Sequence, residues 1–180
     1  MIIGLDLSLA ATGVAELREP GKVEVFTVTS NAKLKPEARL SRLVQDIELM
    51  LPKARLVVLE GLSFGSNDPS AQERSALHWI IRINLHLRQI PYLVVAPSQL
   101  KKFCCDSGAA KKEMMIREVY RQWKVEAADN NQADAAALAY VGAAYLGLLS
   151  GLRKSQLEVL AKLPKIDVPP GTPANPATSG

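Results

Sequence analysis

The sequence predicts an α/β fold: a five-stranded mixed sheet with helices on both faces, in the order β-β-β-α-β-α-β-α-α. Three observations carry this expectation. The first thirty residues hold three β-rich runs separated by short turns. Two later runs, Arg55–Glu60 and Pro91–Ala96, are continuously apolar, as in strands buried on both faces. Between and after these runs, apolar residues recur at helical spacing.

The three opening strands are Met1–Ser8, Thr12–Glu16 and Val23–Ser30. Thr12-Gly13 and Pro20-Gly21 supply turn chemistry, so the three read as an antiparallel meander. Pro36–Leu51 is a helix with Leu40, Leu43, Val44, Ile47 and Leu51 on one face; Pro36 suits its first turn and Pro52 stops it. Gly61–Asn67 is a loop, and a long helix is expected from Pro69 to Gln89. Pro97 ends the last strand. Lys101–Lys112 reads as a basic loop, Glu113–Trp123 as a helix, and the alanine-rich Asn130–Leu149 as a strong helix. Strands alternating with helices after the meander imply parallel pairing through crossovers.

The expected folded domain is residues 1–163, with Leu152–Leu163 able to form an extra amphipathic helix. Residues 164–180 hold five prolines and few large apolar residues, and are expected to be disordered. Cys104 and Cys105 are adjacent, which excludes a disulfide framework and lacks the spacing of a zinc site. No apolar run reaches the length of a membrane span, and no basic segment precedes the apolar start. No signal peptide is therefore expected, and a cytoplasmic setting is. Twenty-two basic against eighteen acidic residues give a mild +4, which permits an anionic partner without demanding one.

Three acids stand in apolar surroundings. Asp6 interrupts Ile2-Ile3-Gly4-Leu5-Asp6-Leu7, Glu60 closes Val57-Val58-Leu59, and Asp134 lies within Ala133-Asp134-Ala135-Ala136. Carboxylates are rarely buried unless paired or metal-bound. Each alone could be a cap or an ion-pair partner. Jointly they mark the ends of the first and fourth strands and the start of a late helix, and neighbouring strands would bring them together. Converging carboxylates repel and need cations; oxygen ligands select magnesium or manganese.

These residues carry a resemblance. Gly4-Leu5-Asp6-Leu7-Ser8-Leu9-Ala10-Ala11-Thr12-Gly13 resembles the opening motif of RuvC-like Holliday junction resolvases. Val57-Val58-Leu59-Glu60-Gly61 is similar to their second motif, and Asp129-Asn130-Asn131-Gln132-Ala133-Asp134-Ala135 to their last. Lys111-Lys112-Glu113-Met114 after Gly108 resembles the basic stretch before the penultimate helix. The motifs keep the family's order over residues 4–140, and the form of the last looks closest to bacteriophage members. The resemblance implies a ribonuclease H-like fold and a homodimer. It implies an endonuclease that makes paired nicks in branched DNA, the four-way junction, with magnesium or manganese and two ions per site. In a phage-encoded case the setting would be the host cytoplasm.

By the same resemblance Asp6, Glu60 and Asp134 are metal-binding catalytic carboxylates. Many members carry an acid or histidine three residues before the last aspartate, where this chain has Asn131. The charged fourth ligand is expected to be Asp129, with Asn131 as a helper; the competing role for Asp129 is an N-cap alone. Lys111, catalytic near the scissile bond, and Lys112 would contact phosphates. Phe64 would either stack on bases at the junction centre or pack on the long helix. Lys101 and Lys102 belong to a stretch, residues 98–126, with seven basic against four acidic residues, suited to phosphates.

Other residues draw plainer expectations. Lys33, Lys35, Arg39 and Arg42 read as solvated surface, Trp79 and Trp123 as core, and His78 and His86 as structural. The long helix spreads Ala76, Leu77, Trp79, Ile80, Ile81, Ile83, Leu85 and Leu87 round more circumference than one sheet face can cover, which points to a dimer. The alternative function is a nuclease of the same fold acting on flaps, other branched replication intermediates or RNA–DNA hybrids. Sugar kinases share a similar phosphate loop but need two such domains, more than 180 residues provide.

Overall fold

A computed structural model describes residues 1–62 and 70–169. Five strands, β1 (Ile2–Asp6), β2 (Ala11–Glu19), β3 (Lys22–Thr29), β4 (Leu56–Glu60) and β5 (Tyr92–Val95), form one sheet in the order β3-β2-β1-β4-β5. The first three pair antiparallel, while β1–β4 and β4–β5 are parallel. The expected five-stranded mixed sheet is therefore present, with β1 beside β4. Thr12-Gly13 is not a turn: both residues lie within β2, and Gly13 pairs with Asp6. The turn falls earlier, between Asp6 and Ala11.

Among the described residues six α-helices accompany the sheet: α1 (Pro36–Glu48), α2 (Ala71–Leu87), α3 (Pro97–Cys105), α4 (Lys112–Trp123), α5 (Asn130–Tyr145) and α6 (Lys154–Leu160). The helix α3 replaces part of the loop expected at Lys101–Lys112. Pro97 does not only stop β5. It also starts a helix, where its missing N–H costs nothing, and Gln99 Oε1 accepts from the Ala96 N–H at 2.9 Å.

Helices cover both faces of the sheet. On one, α5 packs with α3, α4 and α6 against Ile2, Ala15, Leu17, Leu56 and Val58. On the other, Leu43, Val44 and Ile47 of α1 and Leu77, Ile81 and Leu85 of α2 meet Ile3, Leu5, Val57 and Leu59. Alternate residues of β1 and β4 thus feed two cores, as the period of a strand requires. No described helix is long and apolar enough to cross a membrane.

Trp123 stacks on Tyr140 with ring centres 4.2 Å apart. Trp79, expected in the core, is 53% exposed on α2. The first six residues of the segment expected to be disordered lie against the body. The Tyr145 hydroxyl donates to the Pro164 carbonyl at 2.9 Å and accepts from the Ile166 N–H at 2.9 Å. Arg55 Nε donates to the Pro169 carbonyl at 2.8 Å.

Candidate active site

Asp6 and Glu60 are the last residues of two adjacent parallel strands, registered by Leu5↔Leu59. The carboxyl end of a parallel sheet is where α/β folds place ligands. Asp134 comes from the second turn of α5, which crosses β1 and β2. One carboxylate oxygen from each of Asp6, Glu60 and Asp134 lies within 4.8 Å of the other two, and all three residues are half-buried.

Two glycines set how closely Asp134 can approach. A Cβ at Gly4 would fall on the Ala135 carbonyl oxygen and come within 2.7 Å of the Ala139 nitrogen. A Cβ at Gly13 would strike the Asn131 carbonyl. At Gly4 and Gly13, therefore, helix α5 meets β1 and β2 backbone to backbone. Asn131 adds a tie, its Nδ2 donating to the Ala11 carbonyl at 2.8 Å.

The turn after Asp6 is fixed by its own bonds. The Ser8 N–H donates to Thr12 Oγ1 at 3.2 Å, and that hydroxyl donates back to the Ser8 carbonyl at 2.8 Å. Arg39 NH2 donates to the Leu9 carbonyl and its Nε to Ser30 Oγ, both at 2.8 Å. Arg39 is thus a clamp rather than solvated surface. Nothing in the local sequence marks it, because its partners Leu9 and Ser30 follow β1 and β3 and reach it only through the fold.

Burial and the crowding of negative charge act together on Glu60. The Glu60 carboxyl is pushed up from 4.5 to about 8, first by burial, then by the charges of Asp6 and Asp134 and a hydrogen bond with Asp6. The Lys101 charge opposes this rise, so Lys101 acts on the site from α3. Lys102, its neighbour, does not share that environment: its Nζ pairs with Glu158 Oε2 of α6 at 2.6 Å.

The remaining expected site residues are placed as follows. Asp129 caps α5, its Oδ1 accepting from the Gln132 N–H at 2.8 Å, and it is not part of the three-carboxylate cluster. Lys111 is exposed immediately before α4, and Lys112 is that helix's first residue. Phe64 lies outside the described residues. Burial raises both thiol pKa values, so Cys104 and Cys105 are protonated and unreactive at neutral pH.

Three hard oxygen ligands that repel one another suit a divalent cation, whose charge would remove the repulsion that now lifts Glu60. Comparison with known proteins sharpens this class. No family model matches the chain. The fold is that of Thermus thermophilus RuvC, with a TM-score of 0.63 at 18% identity, covering 82% of this chain and 96% of that one. The same protein in complex with a Holliday junction substrate also gives 0.63, covering 77% and 89%.

The sequence relationship reaches further than the fold. The crossover junction endodeoxyribonuclease RuvC of Carboxydothermus hydrogenoformans is 30% identical over 154 residues, which are 81% of this chain and 97% of that protein. The chain belongs to the RuvC family of crossover junction endodeoxyribonucleases.

Proposed function

We propose that this chain is a structure-selective endonuclease that resolves four-way DNA junctions by paired, divalent-metal-dependent phosphodiester nicks. The observation that carries the proposal is the convergence of Asp6, Glu60 and Asp134 at the carboxyl end of β1 and β4. These three would hold the metal, two ions being the number that suits in-line hydrolysis. A bound divalent ion supplies Lewis acidity toward the phosphodiester and lowers the pKa of a water toward neutrality. The chain's own contribution is to fix the ligands through Gly4, Gly13 and the clamped turn, and to aim cationic charge at the phosphate. Lys101, whose charge acts on Glu60, would take that task, with Lys111 and Lys112 at the start of α4 as further phosphate contacts. Lys102, engaged by Glu158, is left out of it, and Asp129 serves as a helix cap. Phe64 keeps the base-stacking role implied by the resemblance, and the form of the last motif supports a bacteriophage-type member acting in the host cytoplasm.

A four-way junction has two-fold symmetry, so paired nicks need two symmetric sites, which a closed homodimer supplies. Its contact face would be the outer side of α2. There Trp79, Ile83 and Leu87, four residues apart, are 53%, 51% and 73% exposed, an apolar stripe along one helix face. The test is a panel of four-way junction, flap and RNA–DNA hybrid substrates with magnesium. Symmetric nicks near the centre of the junction, with flap and hybrid intact, are expected. Preferential cleavage of flap or hybrid would move the chain to a different nuclease role on the same fold.

A further inference from the structure

One buried titratable side chain stands behind the carboxylates without a part in the chemistry above. His78 lies on the sheet-facing side of α2, between Leu77 and Ile81 of the core, and is 3% exposed. Its Nε2 is 2.9 Å from the main-chain carbonyl oxygen of Glu60. A carbonyl only accepts, so Nε2 carries the proton and Nδ1 is the bare nitrogen of a neutral ring. Burial pushes the ring's pKa down, against the Glu60 hydrogen bond, which pushes it up. Nδ1 is buried without a hydrogen-bond partner. A buried acceptor lacking a donor is destabilising. A leucine on this apolar face would avoid that cost, so packing alone does not account for a histidine.

The bond lands where the sheet stops supporting β4. Pairing of β1 with β4 ends at Leu5↔Leu59, one residue before Glu60. On the other side the Gly61 N–H donates to the Val95 carbonyl at 2.8 Å. The last peptide of β4 is thus held by β5 on one side and by His78 of α2, and the Glu60 carboxyl projects from that peptide toward Asp6 and Asp134. Resting on the metal-binding role assigned to the three carboxylates, we propose that His78 is a positioning residue. Its Nε2–H fixes the end of β4 so that Glu60 is held ready as a ligand beside Asp6 and Asp134. Preorganising a ligand in this way removes an ordering cost from metal binding.

The experiment uses the full chain as wild type, His78→Leu, His78→Gln and Glu60→Gln. Manganese binding to the protein alone is measured by calorimetry, melting of the metal-free protein is followed, and kcat and KM are obtained for junction nicking. His78→Leu is expected to weaken manganese binding about tenfold or more. Its kcat should fall while its junction KM stays within about twofold, because phosphate contacts lie elsewhere. Its melting temperature should remain near that of the wild type. His78→Gln, whose amide N–H can reach the same carbonyl, should recover most of the affinity. Wild-type manganese affinity in His78→Leu overturns the proposal. So does an equal loss in both His78 variants that merely follows a fall in melting temperature. A Glu60→Gln variant that binds manganese like the wild type would instead remove the metal role itself, which separates the two failures.

Discussion

The two faces of the sheet are packed in opposite ways. On the α5 face three glycines allow close approach: Gly4 and Gly13 meet the helix backbone directly, and at Gly142 the helix backbone itself lies on side chains, where an added Cβ would sit 2.8 Å from Ile2 Cγ2 and 2.9 Å from Val58 Cγ2. On the α1 and α2 face, large aliphatic side chains fill the gap, and α2 still turns Trp79, Ile83 and Leu87 outward. Close backbone packing leaves little freedom, and it occurs where an acid from a helix must meet two acids from strands. Surplus apolar surface, Trp79, Ile83 and Leu87, lies on the outer side of α2. The contrast separates a face set by close glycine contacts around the acids from a face that keeps apolar side chains exposed.

The largest effect is expected from breaking the close face. Gly4→Ala places a methyl on the Ala135 carbonyl, so α5 must move away. Denaturant unfolding should show a loss of about 3 kcal/mol or more, the upper range for overpacking, with nicking lost as Asp134 retreats. A Gly4→Ala protein as stable and active as the wild type would mean that the fit is not tight.

The open face should respond in the opposite sense. Ile83→Glu puts a charge on exposed surface, so monomer folding should change by less than about 0.5 kcal/mol. Light scattering at micromolar concentration should show dimer becoming monomer. Nicks should then lose their pairing on opposite strands. If the variant stays dimeric, association uses another surface.

A smaller effect separates two adjacent lysines. Lys101→Ala removes the cation that acts on Glu60, and it should slow nicking and reduce the salt dependence of junction binding by about one unit. Lys102→Ala breaks a solvent-exposed ion pair with Glu158, and a small loss of stability should be its only cost. Equal nicking rates in the two variants would erase the distinction.

A pH dependence of stability follows from the same three acids. Glu60 titrates near 8 in the folded protein against 4.5 ordinarily. Between those values the folded state holds a proton that the unfolded chain has released. This group's contribution is therefore greatest at low pH and declines as pH rises toward 8. The metal-free melting temperature should reflect that decline. Magnesium or manganese should raise it more at about pH 8 than at about pH 5.5, since the bound ion favours the deprotonated carboxylate. Stabilisation that does not grow with pH would mean Glu60 is not a ligand.

Much of the site was legible in sequence because isolated acids in apolar strands are conspicuous. Asp6, Glu60 and Asp134 announce themselves by their neighbours, and the fold supplies the adjacency of β1 and β4 that joins them. What failed to show depends on direction and distance. Lys101 and Lys102 are adjacent letters, and only the helix that carries them reveals that one acts on Glu60 and the other meets Glu158. That helix was itself hidden because Pro97 signals a strand stop and a helix start alike. Asp129 could be a cap by position or a ligand by charge, and its bond to Gln132 shows the cap. Arg39 looked like surface because its partners, Leu9 and Ser30, are joined to it only by the tertiary fold. Trp79 looked like core because composition cannot say which face of a helix is covered.

The central claim is that Asp6, Glu60 and Asp134 act together as one metal-dependent cleavage site. The most direct test is a synthetic four-way junction incubated with wild type, Asp6→Asn, Glu60→Gln and Asp134→Asn, with magnesium or EDTA, nicks being mapped on all four strands and binding followed by gel shift. Wild type should nick opposite strands symmetrically with magnesium and not with EDTA. Each variant should bind the junction as tightly as wild type, through its lysines and arginines, and leave it intact. Cleavage by any one of the three at the wild-type rate, or cleavage that persists in EDTA, would contradict the account.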